Sequence, residues 1–195
     1  MGNKKRMARI CWNTNNWEKP SGSYGKSTNE NTFEYQNDFG YEEWLFDVNK
    51  QNDGWQYGFL QPVLKGWEKH QGNVYDILLY TREKKSQKWY VVGWLYNVQV
   101  LSCAERCAEI KKHDEKGGIA SDKADLKKVG AASKILTQDL LYKNEVDGFN
   151  IRFRPNGRKP ERAAFREFKL YCARYLLLYY EDSKYKMENV PVFSI

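Results

Sequence analysis

Flat aromatic rings set beside amide side chains are the residues of this sequence best suited to chemistry. Trp12 is followed by Asn13, Asn15, Asn16, Trp17 and Ser21, and Trp44, Tyr57 and Trp94 recur further along. A buried indole N–H or phenol O–H needs a partner, so rings gathered with Asn and Ser suit an open pocket better than an apolar core. Such a pocket stacks a flat heterocycle between rings and binds its edge with amides, as an extruded nucleobase is held. The expected pocket is Trp12, Asn13, Trp17, Trp44, Tyr57 and Trp94, although each ring taken singly would serve equally well in a core.

Cationic and hydroxyl groups stand where they could meet phosphate. Lys19, Ser21 and Lys26 lie in the loop after Trp12, and Arg152, Arg154, Arg158 and Lys159 lie near the other end. Between residues 147 and 174 eight positive side chains face three carboxylates. The net charge is +7, and aromatics make up 15% of the chain, with seven Trp and fourteen Tyr. Positive charge combined with surplus rings is the pairing that neutralises phosphates and stacks bases. Nucleic acid is therefore the expected partner, with a merely solvated charged face as the competing explanation.

Other chemistries fit less well. Residues 20–27 brush against a phosphate-cradling Gly-rich loop, but Pro20 stands at the first required glycine and no amphipathic helix follows. Cys103 and Cys107 lie four apart, but a structural zinc site normally needs a second tight pair, and the only histidines are His70 and His113. Cys11, Cys103, Cys107 and Cys172 read instead as buried free thiols. Asp147, Glu167 and Lys169 could be the carboxylates and lysine of a metal-dependent nuclease if Glu167 lay on a strand, whereas its surroundings read as helix. The expectation is a binding module rather than an enzyme, with no cofactor and no metal.

The elements that must position these groups are mixed. At 195 residues, 41% hydrophobic, the chain can bury a core as one domain. No apolar run approaches the roughly 20 residues that cross a bilayer. The basic start, residues 1–9, lacks the apolar stretch of a signal peptide and reads as an unstructured lead, which makes the cytoplasm the expected compartment. Residues 76–101 organise the rest as a hairpin. Ile77 to Tyr80 form one arm, the polar segment 82–88 turns, and a long Val/Trp/Tyr arm returns with Gly93 in its middle. A glycine inside a strand marks a bulge or sharp bend. Further strands are expected at 9–12, 55–63 and 149–154, the last with Phe149, Ile151 and Phe153 on one face and Arg152 and Arg154 on the other. Helices are expected over 102–112 and from a cap at Ser121–Asp122 to about residue 142. Residues 162–169 are helix-permissive, 171–180 are strand or helix, and 191–195 read as an edge strand. The parts are a β-rich portion (9–101), a helical insertion (102–146) and a basic strand/helix portion (147–195). The expected class is α+β, a small bent β-barrel flanked by helices.

Trp12-Asn13, the segment 43–46 (Glu-Trp-Leu-Phe), Tyr57-Gly-Phe-Leu-Gln and the run 90–101 with its Val92-Gly93 step together resemble the PUA-like superfamily, including EVE, ASCH and YTH domains. The resemblance covers about residues 9–101. It is similar also to the reader modules of modification-dependent restriction endonucleases, in which a modified base, flipped from the duplex, sits in an aromatic pocket. The resemblance implies a specificity module for modified double-stranded DNA, with cleavage supplied by a partner nuclease domain or subunit. An RNA-binding domain of the same fold is the alternative, beside the metal-dependent nuclease. The segment after residue 102 exceeds a minimal barrel of that kind.

Overall fold

A computed structural model describes residues 2–131, 136, 142, 148–156, 166–167 (backbone only) and 175–180. The fold is α+β. Its strands are β1 (Lys4–Arg9), β2 (Gln51–Asn52), β3 (Trp55–Gly58), β4 (Val74–Arg82), β5 (Trp89–Val100), β6 (Ile151–Phe153), β7 (Arg166–Glu167) and β8 (Leu178–Tyr179). They pair in the order β2-β3-β6-β5-β4-β1-β8, with β7 on β5. Among the described residues this is an open path, with no pairing that joins β2 to β8. Helices α1 (Phe33–Asn37), α2 (Gln61–Leu64), α3 (Trp67–His70), α4 (Cys103–Glu115) and α5 (Gly118–Lys128) surround it, with 3₁₀ turns at Tyr41–Trp44 and Val48–Lys50. None of the described helices is long and apolar enough to cross a membrane.

The β4–β5 hairpin is the spine, and alternation along it builds two apolar layers. Ile77 and Leu79 join Ala8, Ile10, Leu95, Val98, Ile151 and Phe153 in the main core, while Leu78 and Tyr80 join Met7, Val91 and Trp94 on the opposite face. The hairpin bends at two register shifts. One falls where Leu79 pairs Gly93 and Tyr80 pairs Val91, leaving Val92 over, so the mid-strand glycine does sit at a bulge. The other is at Asn97, whose φ of 52° is left-handed. Asp76 Oδ1 secures it, accepting from Asn97 N–H at 3.0 Å and from the Asn3 amide at 2.9 Å.

Several expectations are corrected. The basic start is no loose lead: Lys4–Arg9 pairs in parallel with β4 and antiparallel with β8. Met7 and Ala8 are fully buried, and Arg6 stays within the sheet because its guanidinium lies 3.8 Å from the Tyr179 ring centre. The strand expected over 55–63 stops at Gly58, and Pro62 enters the first turn of α2, where its missing N–H is harmless. Helix α5 starts at Gly118, ahead of Ser121. Residues 166–167 are strand rather than helix. Residues 191–195 lie outside the described residues. Helix α4 forms where expected, its Ser102 and Glu105 closing a reciprocal cap at 2.8 Å.

Candidate functional site

The rings singled out in the sequence do not gather round one cavity. Trp17 is fully buried in the main core. Trp44 packs with Phe39, Leu126 and Tyr142, Trp94 with Met7 and Tyr80, and Tyr57 with Leu101 and Phe149. Trp12 borders an open cleft, and Tyr57 lines a space of only about 20 Å³. Each of the others is flanked in space by aliphatic side chains that lie far off in the sequence, which is why neighbouring Asn and Ser misdirect the reading.

The loop residues close on an interior carboxylate instead. Glu43, fully buried, accepts through Oε2 from Asn13 Nδ2 (2.7 Å), Ser21 N–H (2.8 Å) and Ser21 Oγ (3.1 Å). Its Oε1 accepts from Gly40 N–H at 2.9 Å and pairs with Lys26 Nζ at 2.6 Å. Asn13 Oδ1 takes the N–H groups of Asn15 and Trp17. Asn13, Ser21 and Lys26 therefore fasten the 13–26 loop, and Lys26 spends its charge inside.

The other expected phosphate ligands are scattered. Lys19 pairs with Asp125 at 3.4 Å. Arg152 bonds Gln99 at 2.8 Å and lies 3.5 Å from Glu105. The Arg154 guanidinium is 3.9 Å from the Trp55 ring centre and donates to Asp53 O. Arg158 and Lys159 lie outside the described residues, as do Asp147, Lys169 and Cys172. Cys103 is exposed rather than buried, because it opens α4 on its solvent side. Among the described residues no three His, Cys, Asp or Glu side chains gather as a metal site.

What does form is a set of adjoining cavities around α1, the loop before it and the end of the β4–β5 hairpin. A cleft of about 420 Å³ is walled by Trp12, Gly25, Arg9, Arg82, Lys84 and Tyr175. Tyr90 flanks the Trp12 ring at 5.6 Å. Gly25 meets its edge so closely that a Cβ there would stand 2.3 Å from Cδ1. Among the described residues the Nε–H groups of Arg9 and Arg82 have no hydrogen-bond partner. Burial pulls the Arg9 pKa down, as does neighbouring Arg82, with Glu42 among the groups opposing them. An anion entering this cleft would relieve both effects.

Beyond it lies a smaller cavity of about 180 Å³, room for about six waters, lined by Phe33, Tyr41, Phe59, Gln61, Glu42 and Leu64. Glu34 and Tyr175 belong to both cavities. Phe33 and Tyr41 lie 5.5 Å apart, and Tyr41 and Phe59 likewise. Glu42 accepts from Cys11 N–H at 3.0 Å and Gln61 N–H at 3.1 Å. Burial outweighs those bonds and pushes its pKa up to about 7. Arg82 and Lys84 stand in a segment that the sequence presents as an ordinary polar turn, and Arg9 in one that presents as a strand start. The clustered Phe33, Tyr41 and Phe59 were the available signal.

A second buried polar group ties α5 to the turn at Val48–Lys50. Asp122 Oδ2 lies 2.6 Å from Lys50 Nζ, 2.9 Å from His113 Nε2 and 2.6 Å from Tyr142 OH. Burial alone would raise the Asp122 pKa, but Lys50 and the hydrogen bonds hold it below the usual carboxylate range. The adjoining space is only about 20 Å³, so this cluster is a clasp.

Comparison with protein-family models, curated proteins and solved structures finds no match to this chain.

Proposed function

We propose that this chain is a nucleic-acid-binding module that holds duplex DNA over the Arg9–Arg82–Lys84 cleft and receives one extruded, modified base in the adjoining aromatic cavity. The observation that carries this is the contiguity of the two spaces: cationic donors outside, rings within, and Glu34 and Tyr175 common to both. Phosphate contacts supply sequence-independent affinity, and stacking on a ring adds about 1–3 kcal/mol per base. Two rings offset an unstacking cost of a few kcal/mol. The PUA-like relation is part of this proposal; among the described residues the sheet is open rather than closed into a barrel. In that role the chain is the specificity part of a modification-dependent restriction system, with a nuclease domain or subunit as partner and the cytoplasm as compartment.

A binding screen tests this directly. Duplexes carrying methylcytosine, hydroxymethylcytosine or methyladenine are compared with plain duplexes and with RNA. Arg82→Ala and Lys84→Ala are expected to weaken all duplexes and to lower the salt slope by about one each. Trp12→Ala is expected to reduce affinity without changing that slope. Unchanged binding in all three variants would remove the cleft from the mechanism, and tighter binding of RNA would favour the RNA-binding alternative.

A metal-dependent nuclease is kept as a second reading because Glu167 lies on a strand, β7, paired with Tyr90 of β5. Plasmid cleavage in Mg²⁺ or Mn²⁺ that disappears in Glu167→Ala would establish it.

A further inference from the structure

We infer that the outer cleft takes a terminal phosphate, a monoester at the end of a strand or on a single nucleotide, rather than a phosphodiester within the backbone. This rests on the nucleic-acid reading above and names which phosphate its cleft holds. Arg9 ends β1, Arg82 ends β4 and Trp89 opens β5, so three neighbouring strands bring these side chains to one end of the sheet. Both guanidiniums lie 5.0 Å from the centre of the Trp89 ring. A ring face orients a guanidinium without cancelling its charge. Among the described residues neither arginine forms an ion pair, and the hydrogen bond that Arg82 makes goes to the neutral Gln87 amide oxygen. Their mutual repulsion adds to the burial that pulls the Arg9 pKa down.

Charge and size favour the same ligand. Arg9, Arg82 and Lys84 line the cleft with Glu34, which even when ionised leaves a surplus of two positive charges; Lys26, also on the lining, is already paired with Glu43. A backbone phosphodiester carries a single negative charge, whereas a monoester carries about −1.5 to −2 at pH 7 and presents three strong acceptor oxygens. Two guanidiniums and an ammonium can each meet such an oxygen in a charge-assisted bond, the stronger kind. At about 420 Å³ the cleft matches a site for one small ligand, about 300–1,000 Å³, rather than a groove along a duplex. A wider space of about 730 Å³ joins it at Gly25, Ser27 and Lys84 and adds Lys85 and Gln87. A strand can leave on that side with its end in the cleft, where Trp12 gives the last nucleotide an aromatic wall.

The test uses fluorescence anisotropy at fixed salt on duplexes that differ only at their ends, with a 5′-phosphate, a 3′-phosphate or hydroxyls alone. Adenosine 5′-monophosphate is the free-nucleotide arm. A phosphorylated duplex is expected to bind about tenfold tighter than the hydroxyl-ended one, the worth of one hydrogen bond to a charged group. Arg82→Gln and Lys84→Gln are expected to erase that ratio, beyond any weakening common to all the duplexes. Melting curves identify any variant that does not fold, in which case the other carries the comparison. A ratio unchanged in the folded variants places the phosphate elsewhere and overturns the assignment. Equal affinity for all three duplexes also overturns it but leaves the nucleic-acid reading intact. Binding of the free nucleotide that is lost in Arg82→Gln, with no duplex bound, supports the phosphate site and overturns the nucleic-acid reading. Absence of binding to every probe overturns both.

Discussion

Lys26 Nζ lies 2.6 Å from Glu43 Oε1, and both side chains are closed off from solvent. The pair joins the loop after β1 to the 3₁₀ turn at Tyr41–Trp44, and so sets the distance between the Trp12 wall and the aromatic cavity. Removing one partner of such a pair leaves a buried charge and costs about 3–5 kcal/mol. Lys26→Met and Glu43→Gln should each lower the melting temperature sharply, and the double variant Lys26→Met/Glu43→Gln should lose less than the two combined. Losses that simply add would mean the two groups act independently.

Gly25 is left-handed, with φ 72°, and presses on the edge of the Trp12 indole. Alanine there meets both the conformational and the steric penalty. Gly25→Ala is expected to cost about 1–3 kcal/mol and to displace the indole, read as a shift in tryptophan emission. Normal stability with unshifted emission would show that the loop relaxes freely.

Glu42 binds its proton more tightly folded than unfolded, its pKa being pushed up from an ordinary 4.5 to about 7 by burial. The associated stability is complete below about pH 4.5 and is lost as pH rises through 7, because the unfolded chain releases the proton first. The full loss is about 3 kcal/mol. Denaturant titrations of the native protein and Glu42→Gln should therefore diverge between pH 4.5 and 8, the native protein losing ground. Parallel curves would show that Glu42 titrates normally.

At Asn97 the β5 bulge requires a left-handed backbone. Asn97→Gly should be nearly neutral in chemical denaturation, while Asn97→Val should cost about 1–2 kcal/mol. Equal losses for both would point to the amide contact with Asn3, at 2.8 Å, rather than to the backbone.

Much of the scaffold is legible in sequence. Alternation along residues 76–101 gives the hairpin, Gly93 its bulge, Ser102 and Glu105 the helix cap, and Phe149–Ile151–Phe153 the buried face of β6. Each of these signals is local, written within a few residues. The site is less legible because its parts meet only in three dimensions. Arg9 with Trp12, Glu34, Arg82 and Tyr175 come from four separate segments, and nothing within any one segment marks it. Asn13 and Lys26 resemble ligand groups until the fold supplies Glu43, and a buried carboxylate cannot be told from an exposed one by its letter. The lead before Arg9 misreads for a related reason. Charged strands look disordered unless the rings that shelter them, Tyr75 and Tyr179, are known to be adjacent.

Strand β1 runs parallel to β4, and its first pair joins residues 71 positions apart, Lys4 with Tyr75. Non-local pairing of this kind slows folding, since a long loop must close before any contact rewards it. During synthesis the ribosome therefore delivers Met7 and Ala8 long before the surfaces that will cover them exist. The nascent chain must carry that apolar segment uncovered until the β4–β5 hairpin has emerged, and β8 can seal its other edge only after residue 179 is made.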